Sequence, residues 1–134
     1  MTRFAIDPEA FLSVARADRE PHESHQLVAP NSLRTRALEL LLAEVRAGDL
    51  EERRALEIHK RLTETKVRLL GDRVSRRAAW DLARQHGWTD LRAAEYIAVA
   101  SLQADALVTV GRDLAERATG LVPLAGLEQV YVPS

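Results

Sequence analysis

Two acidic residues, Asp7 and Asp113, occupy the positions in this chain that are best suited to chemistry. Asp7 directly follows a short apolar run at residues 3–6, and Asp113 follows a β-branched run at residues 106–110 that ends at Gly111. Both runs are typical of strands, and functional sites in parallel α/β sheets lie at the carboxyl ends of strands. We therefore expect the two carboxylates to lie close together in space.

Each candidate carboxylate also has an ordinary structural interpretation. Asp7 precedes Pro8, so it can cap a helix whose first turn contains that proline. Asp90, with Thr89, is placed to cap a later helix, and Asp113 in a first helical turn is favoured by the helix dipole. The sequence leaves open, for each of these three acids, whether it binds a ligand or only stabilises a helix.

The histidines, the tryptophans and the absence of cysteine limit which other kinds of functional site the chain can contain. His22 and His25 have the HxxH spacing of a metal-binding pair, but no third ligand is nearby in sequence, so an ordinary polar loop is favoured. Trp80 and Trp88 flank the end of a predicted helix, and we interpret them as packing anchors rather than base-stacking platforms. The chain contains no cysteine, which excludes disulfides, thiolate zinc sites and a catalytic thiol.

Charge is unevenly distributed along the chain. The net charge is -1, yet residues 31–92 contain 14 basic and 10 acidic residues, a net charge of +4, and the remainder carries -5. Near-neutrality therefore does not exclude a nucleic-acid partner. The densest basic stretch is either a solvated surface or a guide for RNA phosphates, and it contains Lys66, Arg68, Arg73, Arg76 and Arg77.

Short extended runs alternate with amphipathic segments, a pattern that predicts the fold class. The 134 residues, 46% of them hydrophobic, are enough for one domain spanning residues 1–134. Extended runs are predicted at residues 3–6, 26–29, 106–110 and from 121, with a short strand or turn at residues 67–70. Helices are predicted at residues 8–18, 33–48, 74–87, 91–103 and 112–120, and a further helix, the third in order, carries Leu56 and Leu62. Asp49 with Glu52 reads as the capping box of the third helix. Strands separated by helices pair in parallel, so we predict a three-layer α/β/α sandwich with a small, mainly parallel sheet.

The sequence contains no sign of membrane insertion or export. No apolar run approaches the roughly 20 residues that a membrane span needs. Acidic residues interrupt the N-terminal region where a signal peptide has its apolar core. We therefore expect a soluble cytoplasmic protein with no membrane partner.

Two stretches resemble a known family. Residues 4–7 form an apolar strand that ends in Asp7, and residues 93–100 followed by residues 107–115 read AAEYIAVA and LVTVGRDLA. The second stretch is similar to a helix, a Leu-Val-Thr strand and a Leu-Ala helix of PIN domains, specifically the VapC-like toxins of bacterial type II toxin–antitoxin systems. The resemblance covers nearly the whole chain and implies a PIN-like fold.

The resemblance implies a metal-dependent endoribonuclease that works on RNA as a homodimer and is held by a cognate antitoxin. In that family, carboxylates hold Mg²⁺ or Mn²⁺, which activates water and stabilises the charge that builds up on phosphorus. Asp7 matches the first family acid. The remaining acids that can replace missing family ligands are Asp90 and Asp113, expected as catalytic residues and metal ligands, and Glu39 as a further ligand.

Three family acid positions carry no carboxylate in this sequence. They hold Arg36, Ala93 and Gly111, and an arginine at the second position opposes a bound cation. Two functions of different classes follow. One is an active VapC-like ribonuclease, and the other is a catalytically impaired or inactive PIN domain that acts as an RNA- or protein-binding regulatory module.

Overall fold

The computed structural model describes residues 1–17 and 19–133, and its elements alternate between strands and helices. The strands are β1 (Thr2–Ile6), β2 (His25–Pro30), β3 (Arg68–Leu70), β4 (Ala106–Val108) and β5 (Leu124–Ala125). The helices are α1 (Pro8–Arg16), α2 (Leu33–Arg46), α3 (Glu52–Glu64), α4 (Arg73–His86), α5 (Arg92–Gln103) and α6 (Arg112–Ala118), and a 3-10 helix spans Leu127–Tyr131.

The five strands form one sheet in the order β3-β2-β1-β4-β5, and every neighbouring pair is parallel. Each parallel connection has to cross over the sheet, and the helices that make these crossings cover its faces. The predicted three-layer α/β/α sandwich is thus confirmed. Because all the strands run the same way, their carboxyl ends lie along one edge, where β1 is followed by Asp7 and β4 by Thr109.

The core is densest around the central strands. Ala5 and Ile6 of β1 and Leu107 and Val108 of β4 are fully buried. Helix α5 packs directly on β1, β2 and β4, while α1, α2 and α3 pack on one another. Burial of α5 is extensive because small alanines alternate with larger apolar side chains, which lets the helix lie close to the sheet.

Three boundaries differ from the sequence-based expectation. Asp49 is not the cap of α3, because its backbone N–H bonds to Glu44 at the end of α2 and the helix begins at Glu52 without a side-chain cap. Strand β4 ends at Val108, two residues early, since the pairing with β1 ends there. Residue 121 begins no strand: its N–H closes a turn onto α6, and β5 starts only at Leu124.

The end of α1 differs as well, since the helix stops at Arg16. The predicted continuation reaches Asp18, which lies outside the described residues. Within residues 1–17 and 19–133, every helix is too short or too polar to cross a lipid bilayer.

Candidate functional site

A cleft of about 470 Å³ opens at the carboxyl ends of β1 and β4. Asp7 and Asp113, which the sequence analysis expects to converge, both line it. The cleft also brings together Asp7 and every position at which the resemblance expects another acid, together with a second substitute acid besides Asp113. These further lining residues are Arg36, Ala93, Gly111 and Glu39.

Asp7 stands at the floor of this cleft and is only 4% exposed. Its Oδ1 accepts a hydrogen bond from the backbone N–H of Ala10 at 2.8 Å, which caps α1 with Pro8 in the first turn. Its Oδ2 accepts a hydrogen bond from the Thr109 hydroxyl at 2.6 Å. The capping role is therefore confirmed, and the same carboxylate also faces the cleft.

The register of the central strands explains the contact between Asp7 and Thr109. Ile6 and Val108 are partners in the β1–β4 pairing, so the next residue of each strand lies at the same level beyond the sheet. Sequence reasoning placed Thr109 inside a strand and therefore missed its bond to Asp7. The Leu-Val-Thr pattern beside an aspartate-terminated strand was the signal that could have revealed it.

Burial raises the pKa of Asp7 above the usual value for an aspartate. The hydrogen bonds from Thr109 and Ala10 act in the opposite direction, because they stabilise the ionised carboxylate. The negative charge of Glu9, in the first turn of α1, raises the pKa further. Asp7 consequently holds its proton to a higher pH than an aspartate in water.

Arg36 occupies the wall of the cleft where the resemblance expects the second acid. Its guanidinium forms an ion pair with Glu95 at 3.4 Å, and its Nε donates to the Ser32 hydroxyl at 3.2 Å. Both side chains of the ion pair are 28% exposed. Because Arg36 belongs to α2 and Glu95 to α5, the pair connects two helices beside the cleft.

Tyr96 and Glu9 are lining residues that sequence reasoning missed. The Tyr96 hydroxyl is buried beside the Ser32 side chain. Burial raises the pKa of this phenol, although Ser32 acts to lower it, so the phenol stays protonated across the neutral range. Glu9 lies beside Gly111, where an added Cβ would come within 3.0 Å of the glutamate Oε2. Its position two residues after Asp7 was the available signal.

The substitute acids differ in how they are placed. Asp113 is exposed and pairs with Arg117 at 3.2 Å, one turn further along α6. Glu39 lines the cleft from the exposed side of α2. Asp90 is not among the residues that line the cleft. Its Oδ1 accepts the N–H of Arg92 at 3.0 Å, so it does serve the first turn of α5, although Leu91 occupies the cap position.

The donor atoms of the cleft do not fit a Mg²⁺ or Mn²⁺ site as they are arranged. Both oxygens of Asp7 already accept hydrogen bonds, Ala93 and Gly111 offer no side-chain donor, and Arg36 adds positive charge. Hard cations require several oxygen ligands at short range. Across residues 1–17 and 19–133, no three histidine or acidic side chains are grouped closely enough to hold a metal ion.

The histidine pair behaves as part of a loop. The backbone N–H of Ser24 donates to His22 Nδ1 at 3.1 Å, and the Ser24 hydroxyl lies 2.7 Å from the same nitrogen. His25 lies edge-on to the ring of Phe4, and its Nε2 contacts the backbone oxygen of Val132. These contacts fit the polar-loop interpretation of the HxxH spacing.

The basic stretch of residues 66–77 is divided between two ends of the sheet. Lys66 and Arg68 line a depression beside Met1 and His25, at the amino ends of the strands. Arg73, Arg76 and Arg77 belong to α4, which begins just beyond the carboxyl end of β3. The five side chains therefore do not form one continuous surface.

The two tryptophans have different environments. Trp88 is half-buried against the core, where His86 stacks on it at 4.8 Å and Arg117 lies over its ring at 5.3 Å. Trp80 is 56% exposed, so its interpretation as a packing anchor is wrong. It lies on the face of α4 that points away from α5, because the helix packs through its small residues Ala79 and Ala83.

Comparison with solved structures identifies the fold. No family model matches the chain, and no curated protein matches it. Among solved structures, the chain is similar to PAE2754 from Pyrobaculum aerophilum, known from a crystal structure. The TM-score is 0.68 at 22% sequence identity, and the match covers 97% of this chain and 94% of that one. The chain therefore shares its fold with PAE2754 over nearly its full length.

Proposed function

We propose that this chain is a PIN-like domain, similar to the VapC-like toxins, that binds RNA without cleaving it. The observation that carries the proposal is the ion pair between Arg36 and Glu95. It places a cation beside Asp7 in the cleft, where the resemblance expects a carboxylate that holds a metal. A guanidinium has no lone pair to offer a metal ion, and Glu95 is already engaged by Arg36, so the pair provides no free ligand for a divalent cation.

Hydrogen bonding at Asp7 supports a structural role for this residue. Its two oxygens stabilise the start of α1 and connect the ends of β1 and β4. Asp7 therefore contributes to the fold in the absence of any bound ion.

Electrostatics supports RNA as the partner. Residues 31–92 carry a net charge of +4, and exposed arginines of α4 belong to that segment. Phosphate contacts from such side chains give affinity without a metal and make it salt-dependent. Arg92 lines the cleft from the first turn of α5 and offers a further phosphate contact.

Fluorescence anisotropy with a labelled 12-nucleotide uridine RNA tests the proposal. Binding is expected in EDTA, to weaken steeply with added salt, and to be unchanged by Mn²⁺. The RNA should remain intact on a denaturing gel, and Asp7→Asn should leave the affinity within twofold. Mn²⁺-dependent cleavage that disappears in Asp7→Asn would overturn the proposal.

A second function, a metal-dependent ribonuclease held by an antitoxin, is favoured by one observation. Four carboxylates, those of Asp7, Glu9, Glu39 and Asp113, line the same cleft. Under this alternative, calorimetry detects Mn²⁺ binding to the unmodified chain, and Glu39→Gln weakens it. Sedimentation of the free chain would also show the homodimer that the family resemblance implies.

A further inference from the structure

The outer face of α4 combines arginines with an exposed tryptophan. Side chains three or four residues apart share one face of a helix, because an α-helix makes one turn in 3.6 residues. Along α4 this spacing aligns one set of side chains, which we call the α4 stripe. Its members are Arg73, Arg76, Arg77, Trp80 and Arg84, and each is exposed.

The opposite face of α4 explains why the stripe points outward. Ser75, Ala79 and Ala83 are the buried residues of the helix, and the two alanines pack against Ala94 and Ala98 of α5. Small residues on both helices let the backbones approach closely and fix the rotation of α4. The arginines and Trp80 consequently lie on the exposed side of the helix.

The charges of the stripe are largely uncompensated. Arg77 forms an ion pair with Asp81 at 3.0 Å, between two highly exposed side chains. No other arginine of the stripe has an acidic partner within ion-pair distance in the part of the chain that the structure describes; these are Arg73, Arg76 and Arg84. Exposed cations without partners are available for a polyanion.

Trp80 sets this surface apart from an ordinary solvated helix face. More than half of its surface is exposed, at 56%, although burial of an indole is strongly favourable. Indole rings interleaved with basic side chains are the means by which proteins bind single-stranded nucleic acids without reading a sequence. Bases stack on the ring while the cations contact the phosphates.

We propose that the α4 stripe binds single-stranded nucleic acid, with Trp80 stacked on a base and the arginines on phosphates. The inference rests on the proposed RNA-binding function and assigns it a surface outside the cleft. Arg73 and Arg84 are separated by about 16 Å along the helix axis, enough for a few extended nucleotides. The interior of a duplex offers no base for such stacking, because the faces of its bases are covered by the neighbouring base pairs.

The stripe begins close to the cleft. Arg76 lines a small depression together with Glu95, and Glu95 is the ion-pair partner of Arg36 at the cleft wall. Asn31 and Arg76 both lie against Gly71, where there is no room for a side chain. A Cβ at this position would lie 2.2 Å from the amide nitrogen of Asn31. A strand bound along α4 would thus extend toward the cleft edge.

Binding of labelled 12-nucleotide uridine RNA to stripe variants tests the inference. Trp80→Ala is expected to weaken binding roughly tenfold with the salt dependence unchanged, and Trp80→Phe to retain most of the affinity. Arg73→Gln and Arg84→Gln should each lower the slope of log affinity against log salt by about 0.7. Matched controls on α3, Leu56→Ala and Arg53→Gln, replace equally exposed residues and should leave both quantities unchanged.

The outcomes separate the inference from the proposed function. If the unmodified chain binds the RNA but Trp80→Ala binds equally well, the α4 stripe is overturned and RNA binding stands. If the unmodified chain binds no RNA, the proposed function itself fails. Binding of a 12-nucleotide thymidine DNA with the same dependence on Trp80 supports the stripe, whereas preference for duplex RNA contradicts it. Circular dichroism confirms that each variant is folded.

Discussion

The cleft and the α4 stripe are both rich in arginine, but they differ in how many of those arginines form ion pairs with acidic residues. Two of the three arginines that line the cleft have acidic partners: Arg36 pairs with Glu95, and Arg112 pairs with Glu116 at 3.2 Å. The third, Arg92, is in no ion pair among the described residues. On α4, the one ion pair from the stripe among the described residues is that of Arg77. Acidic partners thus compensate two of three arginines in the cleft but one of four on the stripe.

This difference indicates which surface offers more unpaired positive charge. At Arg36 and Arg112 an anionic ligand would have to displace an existing acidic partner. The stripe has no such partners to displace at most of its arginines. The resemblance to VapC-like toxins predicts a functional site in the cleft, whereas the distribution of unpaired arginines favours α4 as the binding surface.

Restoring the missing acids should have the largest effect and would sharpen the comparison. In the triple variant Arg36→Asp, Ala93→Asp, Gly111→Asp, three carboxylates join Asp7 around the cleft. Gly111 has a negative φ of -87°, so a side chain is allowed there, with only the mobile end of Glu9 to shift. We expect Mn²⁺ affinity measured by calorimetry to rise at least about tenfold over the unmodified chain, because ligand charge sets cation affinity.

The control for this variant keeps the volume but not the charge. Arg36→Asn, Ala93→Asn, Gly111→Asn should show no gain in Mn²⁺ affinity. RNA binding through α4 should survive in both triple variants, since the stripe is untouched. Measurable Mn²⁺ binding by the unmodified chain, with an affinity equal to that of the aspartate variant, would show that the cleft already holds the ion.

An intermediate effect is expected for the buried carboxyl of Asp7. The folded protein keeps a proton on Asp7 at pH values where the unfolded chain, with a pKa near 3.8, has lost it. The contribution of this group to stability is therefore greatest in acid and falls as the pH rises through the raised pKa. Asp7→Asn keeps the cap without the charge, so its melting temperature should exceed that of the unmodified chain by a few degrees at pH 7.

The same substitution at pH 4 provides the internal check, because the advantage of asparagine should shrink as the pH falls and aspartate takes up its proton. Asp7→Ala removes the cap and should lower the free energy of unfolding by about 1 kcal/mol. Thermal denaturation followed by circular dichroism measures both. A melting temperature for Asp7→Asn below that of the unmodified chain at pH 7 would contradict the raised pKa.

The smallest effects come from comparing the two ion pairs directly. Double-mutant cycles with glutamine for arginine and glutamate, or asparagine for aspartate, isolate the coupling in each pair. The Arg36–Glu95 pair is part-buried, and its coupling should be about 0.5–1 kcal/mol. The Arg77–Asp81 pair is exposed, and its coupling should not exceed about 0.5 kcal/mol. Urea denaturation distinguishes the two, and a stronger coupling on α4 would reverse the comparison.

Much of the architecture could be predicted because it depends on neighbours in sequence. Asp7 before Pro8 specifies the start of α1, and Gly87, with a φ of +69°, ends α4 as a glycine can. Asp49 shows the limit of such reasoning. Residues 49–52 have a capping-box pattern. The backbone N–H of Asp49 nevertheless bonds to the Glu44 carbonyl oxygen, so Asp49 completes the end of α2 instead of capping α3.

The sequence by itself determined the alternation of strands and helices, the parallel sheet and the position of Asp7 at a strand end. Those features follow from apolar periodicity, capping and the geometry of crossover connections, which act within a few residues. Tertiary structure decided which side chains meet. The Asp7–Thr109 bond joins residues 102 apart and the Arg36–Glu95 pair joins residues 59 apart. It also decided that Trp80 is exposed, because the rotation of α4 is fixed by alanine packing against α5, which no local pattern records.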